Sequence, residues 1–106
     1  MSAEDDAHQK AETFWTVAEL EKQGVTAGEP VDLDLDFRPG ESADAQTAIR
    51  ALKMFGYSAE TASDGGLSIT VPEVPFTAED IWLHEERCTT IVRERGFLPD
   101  GWGFSA

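Results

Sequence analysis

One six-residue pattern occurs three times in this chain and fixes where three helices stop. Leu20-Glu21-Lys22-Gln23-Gly24-Val25, Leu52-Lys53-Met54-Phe55-Gly56-Tyr57 and Val92-Arg93-Glu94-Arg95-Gly96-Phe97 share one order: apolar residue, three more residues, glycine, apolar residue. Glycine takes the left-handed conformation after a helix because it has no Cβ to clash. The flanking apolar pair then makes the hydrophobic contact of a Schellman stop.

The helix starts agree. Ser2 precedes Glu4, Asp5 and Asp6, acids that suit the positive end of a helix dipole. Ser42 is expected to cap the second helix. Thr77 caps the third, with Asp80 three residues on and Phe76 stapling onto Ile81. Apolar stripes at helical spacing are Ala11, Phe14, Trp15 and Ala18 on the first helix, and Ala45, Ala48, Ile49, Leu52 and Phe55 on the second. On the third they are Ile81, Cys88, Ile91 and Val92, with His84 on the same side.

Strand patterns fill the intervals. Val31-Asp32-Leu33-Asp34-Leu35-Asp36-Phe37 alternates apolar and acidic without a break, so one face is buried and the other is wet. Leu67 to Val71 alternates the same way. Tyr57 to Ala62 is a weaker strand, joined to it by a turn at Ser63-Asp64-Gly65-Gly66. Asp100-Gly101-Trp102-Gly103-Phe104 reads as a turn entering a short fourth strand. The order α-β-α-β-β-α-β predicts an α+β, ferredoxin-like antiparallel sheet (β-α-β-β-α-β) with an extra N-terminal helix. The 106 residues fit one domain, with residues 1–24 as the leading helix and 30–104 as the ferredoxin-like unit.

Charge sorts the functional classes. Twenty-one acids against eight bases give a formal net charge of -13. Phosphate binding needs clustered Lys and Arg, and here Arg87, Arg93 and Arg95 alternate with Glu85, Glu86 and Glu94, so direct nucleic-acid binding is not expected. An acidic surface favours a protein partner with a basic surface, or serves only solubility. No apolar run approaches the ~20 residues of a membrane span. The acidic N-terminus has no apolar core of a secretory signal, and the single Cys88 makes no internal disulfide, so a cytoplasmic location is expected.

Candidates for chemistry are few. Asp32, Asp34 and Asp36 have the opening spacing of an EF-hand, but Phe37 and Ala43 stand where its Gly and Glu belong. On a strand, alternate side chains lie ~6.6 Å apart, too far to wrap one ion, so the expectation is no metal and a solvated or partner-facing acidic stripe. His84 and Cys88 share a helix face and could form a thiol–imidazole pair or contribute two zinc ligands, but nothing completes either set. Cys88 falls in the apolar stripe, where a free cysteine packs as a small core residue. Gly65-Gly66 and Gly101-Trp102-Gly103 open no helix and form no phosphate loop. No cofactor and no catalytic residues are expected. Of three tryptophans, Trp15 is assigned to the core stripe of the first helix and Trp82 to a half-exposed position. Trp102, between two glycines, either anchors the last strand or meets a partner.

Phe37, Lys53-Met54-Phe55-Gly56-Tyr57, the strand Leu67 to Val71, the long third helix and the closing Asp100-Gly101-Trp102-Gly103 together resemble the RraB family of small bacterial regulators of ribonuclease E activity. The resemblance spans roughly residues 30 to 104 and implies a ferredoxin-like fold with an extra N-terminal helix. It also implies a regulator that binds ribonuclease E itself rather than RNA. Members carry a long acidic C-terminal tail, and this sequence departs from that pattern by ending at Ala106.

The expected partner-binding surface is Asp32, Asp34 and Asp36 on the open sheet face, with Asp100 and Trp102 near its edge. A monomer or weak dimer is expected. The alternatives are an oligomeric module pairing through the first or last strand, or a small thiol protein using Cys88.

Overall fold

The computed structural model describes residues 3 to 105. The elements run α1 (Ala3–Lys22), β1 (Pro30–Pro39), α2 (Ala45–Met54), β2 (Ser58–Thr61), β3 (Leu67–Pro75), α3 (Ala78–Arg93) and β4 (Phe97–Ser105). The four strands form one sheet in the order β2-β3-β1-β4, and every neighbouring pair is antiparallel. β1 and β2 therefore run parallel to each other across β3, and β3 and β4 run parallel across β1.

The alternation in β1 does what its period requires. Val31, Leu33, Leu35 and Phe37 are buried, while the aspartates between them face away from the core. Leu67, Ile69, Val71 and Val74 join them from β3, and Ala48, Leu52, Ile81, Cys88 and Val92 close the core from the helices.

All three helices stop at their glycine. The first two do so with both bonds of a Schellman motif and the third with the glycine bond, the Val92 carbonyl accepting from Arg95 N–H instead. Val25 N–H donates to the Leu20 carbonyl at 3.1 Å and Gly24 N–H to the Glu21 carbonyl at 3.1 Å, the two bonds of a Schellman motif. Tyr57 and Gly56 repeat this onto Leu52 and Lys53, and Gly96 N–H reaches the Arg93 carbonyl. Each glycine has a positive φ, 111°, 86° and 87° in chain order. At the start of α3, Asp80 N–H donates to Thr77 Oγ1 at 3.1 Å, and Thr77 Oγ1 donates back to Asp80 Oδ2. Phe76 and Ile81 beside this cap are both fully buried.

The Ser2 cap lies outside the described residues. Other expectations are corrected. α2 is capped by Asp44, whose Oδ1 accepts from Thr47 N–H at 3.2 Å, and not by Ser42. Gly40 N–H donates to the Gly96 carbonyl and Asp44 N–H to the Arg95 carbonyl, which ties residues 40 to 44 to the end of α3 and delays the helix start.

α1 is rotated relative to its apolar stripe. Thr13 and Val17 face inward, at 2% and 4% exposure, and Trp15 is 67% exposed. Positions two apart on a helix point about 200° apart, so Thr13 and Trp15 cannot both face in. The inward face is set by polar pairs to α3: Thr13 with Glu85, and Asp6 with Arg93 at 3.1 Å. Trp82 is buried, because α3 is packed by α1, α2 and the sheet and so hides a wide face.

β4 is a nine-residue strand along β1 rather than a turn leading into a short one. Asp36 pairs with Gly101 and Phe37 with Pro99, so Asp100 is the extra residue of a β-bulge, with Gly101 at φ 117°. The bulge resets the alternation. Trp102 then lies opposite Leu35 and Phe104 opposite Leu33, on the core face. β1 has a neighbour on both sides and has no free edge to offer a second copy; the edges belong to β2 and β4. Among the described residues no helix is long and apolar enough to cross a membrane.

Candidate functional site

The uncovered sheet face is a flat polar grid. One cross-strand row reads Gly101, Asp36, Ser68, Glu60; the next reads Gly103, Asp34, Thr70, Ser58. Directly opposed side chains on one face stand ~5 Å apart, so each aspartate is flanked by small groups that leave it open to solvent or a partner. Thr70 Oγ1 donates to Asp34 Oδ1 at 3.2 Å. Asp32 accepts from Glu73 N–H at 3.3 Å where β3 bulges, and Glu73 adopts a left-handed φ of 55°. Arg38 borders the grid, and its guanidinium donates to the Pro99 carbonyl at 3.0 Å. The two rows are negative, carrying Asp34, Asp36 and Glu60 among small side chains, and they are bordered by Arg38 and, opposite it, the partly buried Leu98. Among the described residues no three His, Cys, Asp or Glu side chains are placed to hold a metal ion.

Asp100 and Trp102 belong elsewhere. Together with α1 and α3 they line a cleft of about 440 Å³ on the helix side of the sheet. The structure thus brings Asp32, Asp34 and Asp36 together on the open face and separates Trp102 from them by the thickness of the sheet. Asp100, at the bulge, is exposed at the cleft rim. Trp102 is half-buried and packs on Phe104 with ring centres 6.5 Å apart.

Inside this cleft is a residue that sequence reasoning missed. Glu85 is only 8% exposed, and its Oε1 accepts a 2.6 Å hydrogen bond from Thr13 Oγ1. Burial pushes its carboxyl up to about 7; the Thr13 bond opposes the shift and the nearby Glu12 charge adds to it. Gln9, on the cleft wall, has its Oε1 buried with no hydrogen-bond partner among the described residues. The signal was present: Glu85 lies four residues after Ile81 and three before Cys88, inside the apolar stripe of α3.

The His84–Cys88 pair is not assembled for thiolate chemistry. His84 Nδ1 is bonded to the Tyr57 hydroxyl at 2.9 Å. Burial, followed by the Arg87 charge, holds the imidazole below its usual pKa. Cys88 is fully buried, and burial pushes its thiol up to about 12, so it stays protonated at neutral pH.

Compared with models of known protein families and with curated proteins, the sequence matches none.

Proposed function

We propose that this protein is a cytoplasmic, ferredoxin-like binding domain that captures a protein partner with a basic surface through the uncovered face of its sheet. The observation that carries the proposal is the arrangement of Asp32, Asp34, Asp36 and Glu60 among glycine, serine and threonine on one flat face. Charges so arranged attract a basic surface, and the small groups between them allow close approach. The strand order β2-β3-β1-β4, with a helix crossing between each parallel pair, supports the ferredoxin-like assignment. The RraB resemblance, through Asp100-Gly101-Trp102-Gly103 and the Gly56-Tyr57 stop, makes ribonuclease E the first partner to test and regulation of that enzyme the proposed role.

Calorimetry of the full chain with ribonuclease E at low and moderate salt tests this. Saturable binding that weakens with salt is the expected result, because exposed charge pairs are screened. No heat at either salt would remove ribonuclease E as the partner.

A further inference from the structure

We propose that the cleft between α1, α3 and β4 binds a guanidinium group, with Glu85 as its carboxylate partner and the Trp102 ring as its stacking wall. This site lies across the sheet from the acidic grid and does not depend on it.

Three observations converge on a cation of this shape. The cleft is lined by the acidic residues Glu12, Glu85 and Asp100, and among the described residues no Lys, Arg or His lines it. The Glu12 carboxylate is taken up by His8 at 2.7 Å on the exposed side of α1, so Glu85 and Asp100 are the acids left to the cleft, with no cationic group among its described lining residues. Next, Gln9 Oε1 is a buried acceptor without a donor among the described residues, and such a group is costly unless something fills its bond. Lastly, Trp102 offers a half-buried indole beside the carboxyls.

A metal ion does not fit, because no three acidic, His or Cys side chains among the described residues converge to hold one. A guanidinium spans more space. It is planar, weakly hydrated, stacks on aromatic faces and presents five donors to acceptors lying in several directions. An ammonium is compact and strongly hydrated, and gains less from an aromatic wall with spread acceptors.

Binding is linked to a proton. Among the described residues, the groups acting on Glu85 are Thr13 and Glu12 from α1, Asp100 of β4 lies at the rim of the same cleft, and none of them is cationic. A bound guanidinium supplies the missing positive charge, so Glu85 releases its proton to solvent as the ligand enters. Affinity then rises with pH through the range in which Glu85 titrates.

The test is titration of the full chain with N-acetyl-arginine amide, followed by the nuclear magnetic resonance signals of the Trp102 indole and the Gly101 amide. The site predicts saturable shifts, tighter at about pH 8 than at about pH 6. N-acetyl-citrulline amide, of the same shape but uncharged, gives none. Glu85→Gln weakens binding about tenfold or more and abolishes its pH dependence. Trp102→Leu, which keeps an apolar side chain on β4, weakens it independently should Glu85→Gln fail to fold. An arginine peptide that binds more tightly than the amide assigns the guanidinium to a protein side chain; equal affinity assigns it to a small molecule. Both orders uphold the site. Equal binding of the citrulline compound, full affinity in Glu85→Gln, or no saturation by either probe would overturn it, and would leave the sheet-face proposal untouched.

Discussion

Glu85 makes stability depend on pH in a direction opposite to that of a paired carboxylate. Its carboxyl titrates at about 7 in the folded chain, against an ordinary value of 4.5. Below 4.5 both folded and unfolded chains hold the proton, so burial adds no pH-dependent penalty. Between 4.5 and 7 the unfolded chain ionises first, and stability falls as pH rises. Above 7 the loss levels off at roughly 3 kcal/mol. Glu85→Gln should therefore be more stable than the parent at pH 8 and close to it at pH 4, measured by urea unfolding; a difference independent of pH would contradict the burial. The tryptophans give a second contrast. Trp82→Ala should cost about 3–5 kcal/mol, whereas Trp15→Gln should shift stability by no more than about 0.5 kcal/mol. The sequence pattern places Trp15 on the core stripe and Trp82 at a half-exposed position, whereas Trp82 is buried and Trp15 exposed. A helical stripe identifies which residues share a face, but the Thr13–Glu85 and Asp6–Arg93 pairs decide which face of α1 turns inward.

At the level of elements, the chain was most legible where the rule is local. A glycine stop needs only the residues around it, and all three stand where the pattern puts them. They are not equivalent in tolerance. A Cβ on Gly24 would meet nothing within 4 Å, while one on Gly96 would lie 2.6 Å from the Ser42 carbonyl. Gly24→Ala should cost the backbone strain alone, about 1–2 kcal/mol. Gly96→Ala should cost distinctly more, because the 40–44 segment must also shift, and denaturation midpoints would order the two. β4 was legible only in part. Its bulge at Asp100 exists in relation to β1, and no local signal says that one extra residue turns Trp102 to the core side. The Asp44 cap is hidden for the same reason: hydrogen bonds from Gly40 and Asp44 to the end of α3, distant in sequence, select it over Ser42.

For the whole molecule, strict alternation in β1 made both faces of the sheet readable, with Val31, Leu33, Leu35 and Phe37 in the core and three aspartates outside. The cleft was not readable, since it is assembled from three elements far apart in sequence. A formal net charge of -13 implies substantial self-repulsion. Moderate salt should accordingly raise the unfolding midpoint, and an unchanged midpoint would show that the charges act too far apart to matter. The same salt weakens capture of a basic partner, so stability and binding move in opposite directions. The most direct measurement is the affinity of the Asp32→Asn, Asp34→Asn, Asp36→Asn triple variant for ribonuclease E, beside the parent chain under the same low-salt conditions. A loss of about tenfold or more with the unfolding midpoint preserved is predicted; parent-like affinity in the folded variant would contradict the role of the sheet face.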